Sequence, residues 1–336
     1  MERLLISFFC FFSVFFCCAQ QKKMLIVGQH GEGYPTIQEA VHAVRDFYES
    51  PVVIFVHKGV YHEKLNIPSW KQFIHIVGED RDSTIITNDD YSGKKGPQSE
   101  AYATFNTYNS YTVLVAGNDC VLENLTIQNT AGEKGQAVAL HIDADRTHIR
   151  NCNILGWQDT FYLARAGSRN FIDQCFISGS TDFIFGAATA VFSKCTIESL
   201  KNSYITAASN SQDHPYGFVF LDCDLRAKNE QVNQVYLGRP WRSNAKVLFY
   251  ACNLGSHIAA KGWDPWNGDS MFPDKYKTAV FLEINCRGEG FQQLSQRVPW
   301  SKQIVNNKYK KPSLSLIFKD WEPAEIQINE TLISKP

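Results

Sequence analysis

The stretches that decide the fold are Asn151-Cys152-Asn153-Ile154, Gln174-Cys175-Phe176-Ile177, Lys194-Cys195-Thr196-Ile197, Asp222-Cys223-Asp224-Leu225 and Ala251-Cys252-Asn253-Leu254. Asn124-Leu125-Thr126-Ile127 fits the same pattern with Leu in place of Cys. Successive copies lie 27, 23, 20, 28 and 29 residues apart. A short motif recurring at this period, with variable insertions, is the mark of a solenoid. Within each copy the alternation of period two predicts a strand with Cys and Ile on its inward face. Between residues 112 and 255 no long 3.6-residue period appears, and Gly and Asn punctuate every segment.

The expected architecture is therefore all-β: a right-handed parallel β-helix wound from a single chain. A β-sandwich is the alternative, but it calls for hairpin turns rather than coils of this length. Before the repeat, Thr36-Ile37-Gln38-Glu39-Ala40-Val41-His42-Ala43-Val44 predicts a short helix. Thr36 and Glu39 form a capping box, and Ile37, Ala40, Val41 and Val44 form one apolar stripe. Such a helix would plug the open N-terminal end of the solenoid. Early strands are expected at 52–56 and 73–77.

Composition narrows the field. The chain has 336 residues, net charge −1, 20% charged and 44% hydrophobic residues. This excludes disorder, collagen and coiled coil, and it speaks against nucleic-acid binding, which needs a basic face. Residues 1–19 combine Arg3, an apolar run over 4–16 and Cys17-Cys18-Ala19. That is the pattern of a secretory signal peptide cleaved after Ala19, too short to span a bilayer as a helix. A short membrane anchor or a lipidated cysteine is the alternative. After cleavage no other membrane segment is expected. The remaining chain reads as one catalytic domain over 20–305 and a tail over 306–336, packed on the domain or partly flexible. The expected location is secreted or periplasmic.

Stacked coils place neighbouring inward Cys within disulfide reach. Cys175 and Cys195 are the closest pair in sequence, and a ladder of reduced thiols is the competing arrangement.

Two aspartates stand in apolar or aromatic surroundings: Asp159 in Gly156-Trp157-Gln158-Asp159-Thr160-Phe161-Tyr162, and Asp182 in Gly179-Ser180-Thr181-Asp182-Phe183-Ile184-Phe185-Gly186. They are 23 residues apart, about one coil, so they can project side by side. Two desolvated carboxyls cannot both ionise easily, which separates a proton donor from an anionic nucleophile. Turn aspartates capping backbone groups are the plain alternative. Gln136 precedes Asp159 by one coil, and with Gln158 offers neutral amide donors for a developing oxyanion. Tyr236-Leu237-Gly238-Arg239-Pro240-Trp241 adds a guanidinium suited to a carboxylate and a flat indole suited to a sugar ring.

These residues resemble the pectin methylesterase (pectinesterase) family over about residues 28–300. The matching motifs are Gly59-Val60-Tyr61-His62-Glu63, Gly135-Gln136-Ala137-Val138-Ala139-Leu140, Gln158-Asp159-Thr160, Asp182-Phe183-Ile184-Phe185-Gly186 and Leu237-Gly238-Arg239-Pro240-Trp241. The resemblance implies a parallel β-helix with an open cleft for methyl-esterified homogalacturonan. It further implies Asp182 as nucleophile, Asp159 as proton donor and then base, Gln136 and Gln158 as oxyanion stabilisers, and Arg239 orienting Asp182. Thr107, Trp241, Phe185 and Tyr162 are the implied substrate contacts. Plant members carry a disulfide at positions matching Cys175 and Cys195, which favours that pairing here.

Departures are a two-residue lengthening around 164–168, expected to reshape the cleft rim, and Ser180-Thr181 in place of the plant Thr-Val. No inhibitor-like pro-region is expected before the domain. No cofactor is called for: the nine His show no ligand spacing, and Gly-x-Ser-x-Gly is absent. The expected protein is a monomer that removes methyl groups from pectin. The rivals are a calcium-dependent pectate lyase, a galacturonan hydrolase and a carbohydrate-binding β-helix without activity.

Overall fold

The computed structural model describes residues 23–31, 33–97 and 103–323. The signal-peptide reading over 1–19 and the end of the tail, 324–336, lie outside the described residues. Among the described residues the strands form three sheets, of eleven, eight and seven strands; seven successive coils contribute one strand to each, and the incomplete coils at the two ends add the rest. One coil runs Thr147–Arg150, Asn153–Leu155, Phe161–Leu163, and the next runs Arg169–Asp173, Phe176–Gly179, Ile184–Gly186. Neighbouring strands pair in parallel and in register, as in Asn153↔Phe176 and Ile154↔Ile177. The chain is the expected right-handed parallel β-helix. We call the sheet containing Thr147–Arg150 sheet 1, that containing Asn153–Leu155 sheet 2, and that containing Phe161–Leu163 sheet 3.

The bend from sheet 1 to sheet 2 explains the polar position of the repeat. Asn124, Asn151, Gln174, Lys194, Asp222, Ala251 and Asn285 all have φ between 49° and 55° there. Asn and Asp tolerate this left-handed conformation best, and Asn151 Nδ2 also donates to Asn124 Oδ1 at 2.7 Å. The next residue turns inward, so Leu125, Cys152, Cys175, Cys195, Cys223, Cys252 and Cys286 form one buried column. Asn285-Cys286 extends the column by a coil beyond the copies quoted from the sequence.

The implied Cys175–Cys195 disulfide is not formed; the seven cysteines of the described residues are free thiols. Cys175 Sγ donates to Asp173 O at 3.3 Å and Cys195 Sγ to Ser193 O at 3.4 Å. Both sit mid-column with a thiol on either side, so the uniform coil spacing singles out no pair. Inside sheet 1, Phe192, Phe220 and Phe249 stack with centroids 4.4 Å apart at each step. Each such fully buried side chain contributes about 2–3 kcal/mol of hydrophobic stabilisation.

Helix α1 (Ile37–Ala43) lies against the first strands, with Thr36 Oγ1 accepting from Glu39 N at 3.1 Å. The other cap comes from further along the chain: Glu63 accepts from Ile37 N at 2.9 Å and Gln38 N at 3.0 Å. Glu63 closes the Gly59–His62 strand motif, so this segment anchors the helix rather than meeting substrate. Past 305, helix α2 (Leu314–Phe318) buries Ile317 and Phe318 against Val191, Val219 and Leu221 on the outside of sheet 1.

Candidate active site

The outward face of sheet 3 carries the chemistry. Its register lines up Leu114, His141, Tyr162, Phe185, Ala207 and Arg239 as one column across successive coils. Asp159 and Asp182 occupy equivalent turns just before the sheet 3 strands Phe161–Leu163 and Ile184–Gly186. Both are left-handed, with φ of 64° and 48°. Asp159 N donates to Thr181 O at 3.0 Å, and Asp182 N donates to Tyr204 O at 2.8 Å. One coil of separation thus becomes side-by-side placement, at the cost of a conformation that Asp bears better than most residues.

A cleft of about 230 Å³ opens over them, lined among others by Thr107, Gln136, Gln158, Asp159, Asp182 and Phe185. Arg239 and Trp241 complete the wall. Asp159 is 5% and Asp182 7% exposed. Arg239 grips Asp182 with both edges of its fork, Nε to Oδ1 at 3.0 Å and Nη2 to Oδ2 at 2.6 Å. Thr107 Oγ1 donates to Gln136 Oε1 at 2.8 Å, which leaves the Gln136 amide hydrogens free to donate, one of them to Asp159. Gln158 lines the same cleft, and its backbone carbonyl accepts from Ala137 N at 3.0 Å.

Electrostatics separates the two carboxyls. Burial, reinforced by the neighbouring Asp182 charge, holds Asp159 well above the usual carboxylate range. Burial also raises Asp182, but there the Arg239 hydrogen bonds and charge oppose it. The cation bonds to one member only, so Asp182 ionises first and Asp159 keeps its proton.

Several contributors escaped sequence reasoning. Tyr204 and Trp266 sandwich the Arg239 guanidinium at 3.9 and 3.6 Å. Trp266 is held by a left-handed turn, φ 56°, its N–H donating to Asp264 Oδ1 at 2.7 Å. Buried Lys275 lies 4.0 Å from the same indole, pairs with Asp269 at 2.6 Å and donates to Trp241 O at 3.4 Å. The aromatic string Gly262-Trp263-Asp264-Pro265-Trp266 was the available signal. Tyr162 does not line the cleft; it stacks beneath Phe185 at 4.5 Å and 11° and acts through that ring. Residues 164–168 sit on the turn from sheet 3 to sheet 1, and none of them lines the cavity over the two aspartates.

A larger hollow of about 750 Å³ beside Lys64, Asp90 and Lys94 offers no comparable pair, because both lysines are already bonded to Asp90. Among the described residues no three His, Cys, Asp or Glu side chains converge on a metal position. None of their helices is long and apolar enough to cross a membrane.

A parallel β-helix whose outer face presents a proton-holding carboxyl, an arginine-held carboxylate and neutral amide donors defines a hydrolase of the acyl-transfer class. The pectinesterase family model matches residues 24–314, and the chain belongs to that family. Pectinesterase 31 of Arabidopsis thaliana is 34% identical over 290 residues, covering 85% of this chain and 89% of that one. A pectinesterase of Petunia integrifolia is 34% identical, covering 82% and 73%. Among solved structures, pectin methylesterase from carrot superposes with TM-score 0.74 at 31% identity, covering 84% and 89%. Pectin methylesterase PemA from Erwinia chrysanthemi gives 0.75 at 25%, covering 89% and 98%.

Proposed function

We propose that this cleft hydrolyses the C6 methyl esters of homogalacturonan, releasing pectate and methanol. The observation that carries the reading is the bidentate Arg239–Asp182 pair beside the buried Asp159 carboxyl, which no cation hydrogen-bonds and which burial holds well above the usual carboxylate range. Asp182 attacks the ester carbonyl while the Gln136 and Gln158 amides hold the oxyanion; Gln136 has a second amide hydrogen for this besides the one on Asp159. Asp159 passes its proton to the departing methoxide, leaving an anhydride between Asp182 and the galacturonyl group. The Asp159 carboxylate then takes a proton from water, whose oxygen attacks the anhydride, and both carboxyls are regenerated. The substrate rings lie against Phe185 and Trp241, with Thr107 setting the Gln136 amide.

The fold leaves the cleft open along sheet 3, which suits an internal position of a long polymer. The protein acts as a monomer, exported to the periplasm or outside the cell by residues 1–19, a reading supported by the charge and apolar pattern of that segment. The test is to incubate highly methylated pectin with wild type and Asp182→Asn, following methanol, chain length and ultraviolet absorbance together. Methanol alone is expected, and only from the wild type. Chain shortening or an unsaturated product assigns the cleft to a hydrolase or a lyase instead.

A further inference from the structure

Resting on that reading, we propose that the buried Glu283–Arg297 pair, which lies away from the cleft lining, is a positioning pair for the reaction: it fixes residues 259–264 against the strand that carries Arg239, and so sets how firmly Arg239 holds Asp182.

The pair stands where the core calls for a ring. Register continues the inward column Phe192, Phe220, Phe249 into Glu283 on the strand Val280–Ile284, and then into Gln303. Glu283 is 0% exposed, and among the described residues no other acidic side chain is so completely buried. Arg297 grips it from one side, Nε to Oε1 at 3.1 Å and Nη2 to Oε2 at 2.9 Å. Gln303 Nε2 and Trp263 Nε1 donate to Oε1 at 3.2 and 3.1 Å. A buried ion pair is often no more stable than the apolar side chains that could replace it. Its place in an aromatic column therefore calls for a use other than stability, and the remaining bonds of Arg297 point to one.

Arg297 Nη1 donates to Ala259 O at 3.2 Å and to Ala260 O at 2.9 Å, and Val298 N donates to Lys261 O at 3.1 Å. Gly262, φ 69°, lies against the same side chain; an added Cβ would stand 2.5 Å from Arg297 Cδ and 2.7 Å from Nε. Other groups of this segment pair with the end strand of sheet 3. Leu237 N donates to Gly262 O at 2.8 Å, Asp264 N donates to Gly238 O at 3.1 Å, and Gly238 and Trp263 form a parallel bridge. Residues 259–264 are thus held between the ion pair and the strand Tyr236–Pro240, whose next residue after Gly238 is Arg239. Two residues beyond Asp264, Trp266 N–H donates to Asp264 Oδ1 and the indole covers the Arg239 guanidinium at 3.6 Å. No regular strand lies between Leu254 and Val280 to fix this excursion in another way.

The charged and titratable groups facing Asp182 are Arg239, Lys275, Asp159, Asp264 and Tyr204. Substitutions at 283, 297 and 263 leave all of them in place, so a change in the ionisation of Asp182 reports how Arg239 is held.

The experiment follows methanol release from highly methylated pectin, per folded molecule and across pH. The double variant Glu283→Leu/Arg297→Met leaves no unpaired buried charge. Its kcat is expected to fall about tenfold with KM within about twofold of wild type, because misplacement far from the reacting atoms costs rate. The acid limb of kcat/KM should move up by about half a pH unit as the guanidinium grips Asp182 less firmly. Arg297→Lys keeps the charge opposite Glu283 and should lose less. A pair that serves the fold alone would lower Tm and leave kcat and the acid limb where they are; that result overturns the proposal, and so does a fall in kcat with the acid limb unmoved. If the double variant does not fold, Trp263→Phe decides on the same two readings, since it cuts the segment from Glu283 while the ion pair stays intact. If wild type releases no methanol, it is the ester-hydrolysis reading that has failed. Carbon-13 NMR titration of the Asp182 carboxyl in wild type and Trp263→Phe then still decides the positioning role, since equal titrations refute it.

Discussion

Replacing Arg239 by Met isolates what the guanidinium does for Asp182. Met keeps much of the side-chain length and volume, so the change removes charge without opening a large cavity. Asp182 is only 7% exposed and takes both donors of the fork, at 3.0 and 2.6 Å. Stripping the partner from a buried ion pair costs about 3 kcal/mol while the remaining charge persists. Asp182 avoids that cost by keeping its proton, and about 3 kcal/mol corresponds to a rise of roughly two pH units in its ionisation. The acid limb of kcat/KM, which reports the nucleophile's ionisation in free enzyme, should move up by that amount. Methanol release should fall by up to about a hundredfold on the acid limb, with the gap narrowing as pH rises. Stability follows with a definite sign. Raising a carboxyl's folded-state pKa leaves stability intact where the group is protonated in both states and removes it as pH rises toward the folded value. The deficit of the variant against wild type should therefore be small near pH 3, where only the contacts with Tyr204 and Trp266 are lost, and should open as pH rises through the wild-type Asp182 value. Arg239→Lys keeps the charge without the fork and should shift the limb less. Methanol release measured across pH decides it. A variant profile that is lower but unshifted would show that Arg239 positions Asp182 without controlling its charge.

The partner carboxyl behaves in the opposite way in a melting experiment. Asp159→Asn removes the proton donor and should cut methanol release by about a hundredfold or more. It should also raise stability by about 1 kcal/mol at neutral pH, because the amide never has to ionise in the buried site; the gain disappears below the unfolded carboxyl pKa, and calorimetry at pH 3 and pH 7 separates the two. The free-thiol column predicts that wild-type Tm is the same with and without reductant; a drop of several degrees would reveal a bridge. At Gly238 an added Cβ would lie 1.9 Å from Thr206 Oγ1 and 2.6 Å from its carbonyl. Gly238→Ala should destabilise by about 2 kcal/mol and, through the adjacent Arg239, depress kcat/KM, read by chemical denaturation and methanol assay.

How much of this was legible in the chain depends on how each residue is positioned. Asp159 and Asp182 could be paired from sequence because a strict solenoid converts one period of separation into adjacency. The same rule placed Gln136 beside Asp159 and put Cys and Ile inside. It failed for the cysteine pairing, since a repeat that makes every neighbour equivalent cannot choose one bond. It also failed for Trp266 and Lys275, which lie on the excursion between the sheet 2 strand Asn253–Leu254 and the sheet 1 strand Val280–Ile284. No period governs that segment; an Asx turn on Asp264 and the Asp269 pair determine where its side chains go. Glu63 illustrates a different gap. Its motif carried the family resemblance, but its carboxylate acts on helix α1, 25 and 26 residues earlier, a contact that only the closed coil reveals.

The near-neutral net charge of −1 takes on a narrower meaning at the cleft. The polymer is most nearly neutral when esterified and becomes an anion as the reaction proceeds, so a strongly basic cleft would hold product more tightly than substrate. At the reacting centre two cations have internal partners: Arg239 is paired with Asp182, and Lys275 with Asp269. In the proposed reaction, acylation of Asp182 changes that balance, because the carboxylate charge is consumed in the anhydride and Arg239 is left uncompensated between Tyr204 and Trp266. The lost pairing favours return of the Asp182 anion, and the unpaired guanidinium no longer faces a carboxylate that repels ionised Asp159. Both effects favour the second step, hydrolysis of the anhydride with Asp159 as base. On that proposal the same arginine holds Asp182 ionised before attack and draws it back to the free carboxylate afterwards, without adding a standing positive charge of its own while the pair is intact.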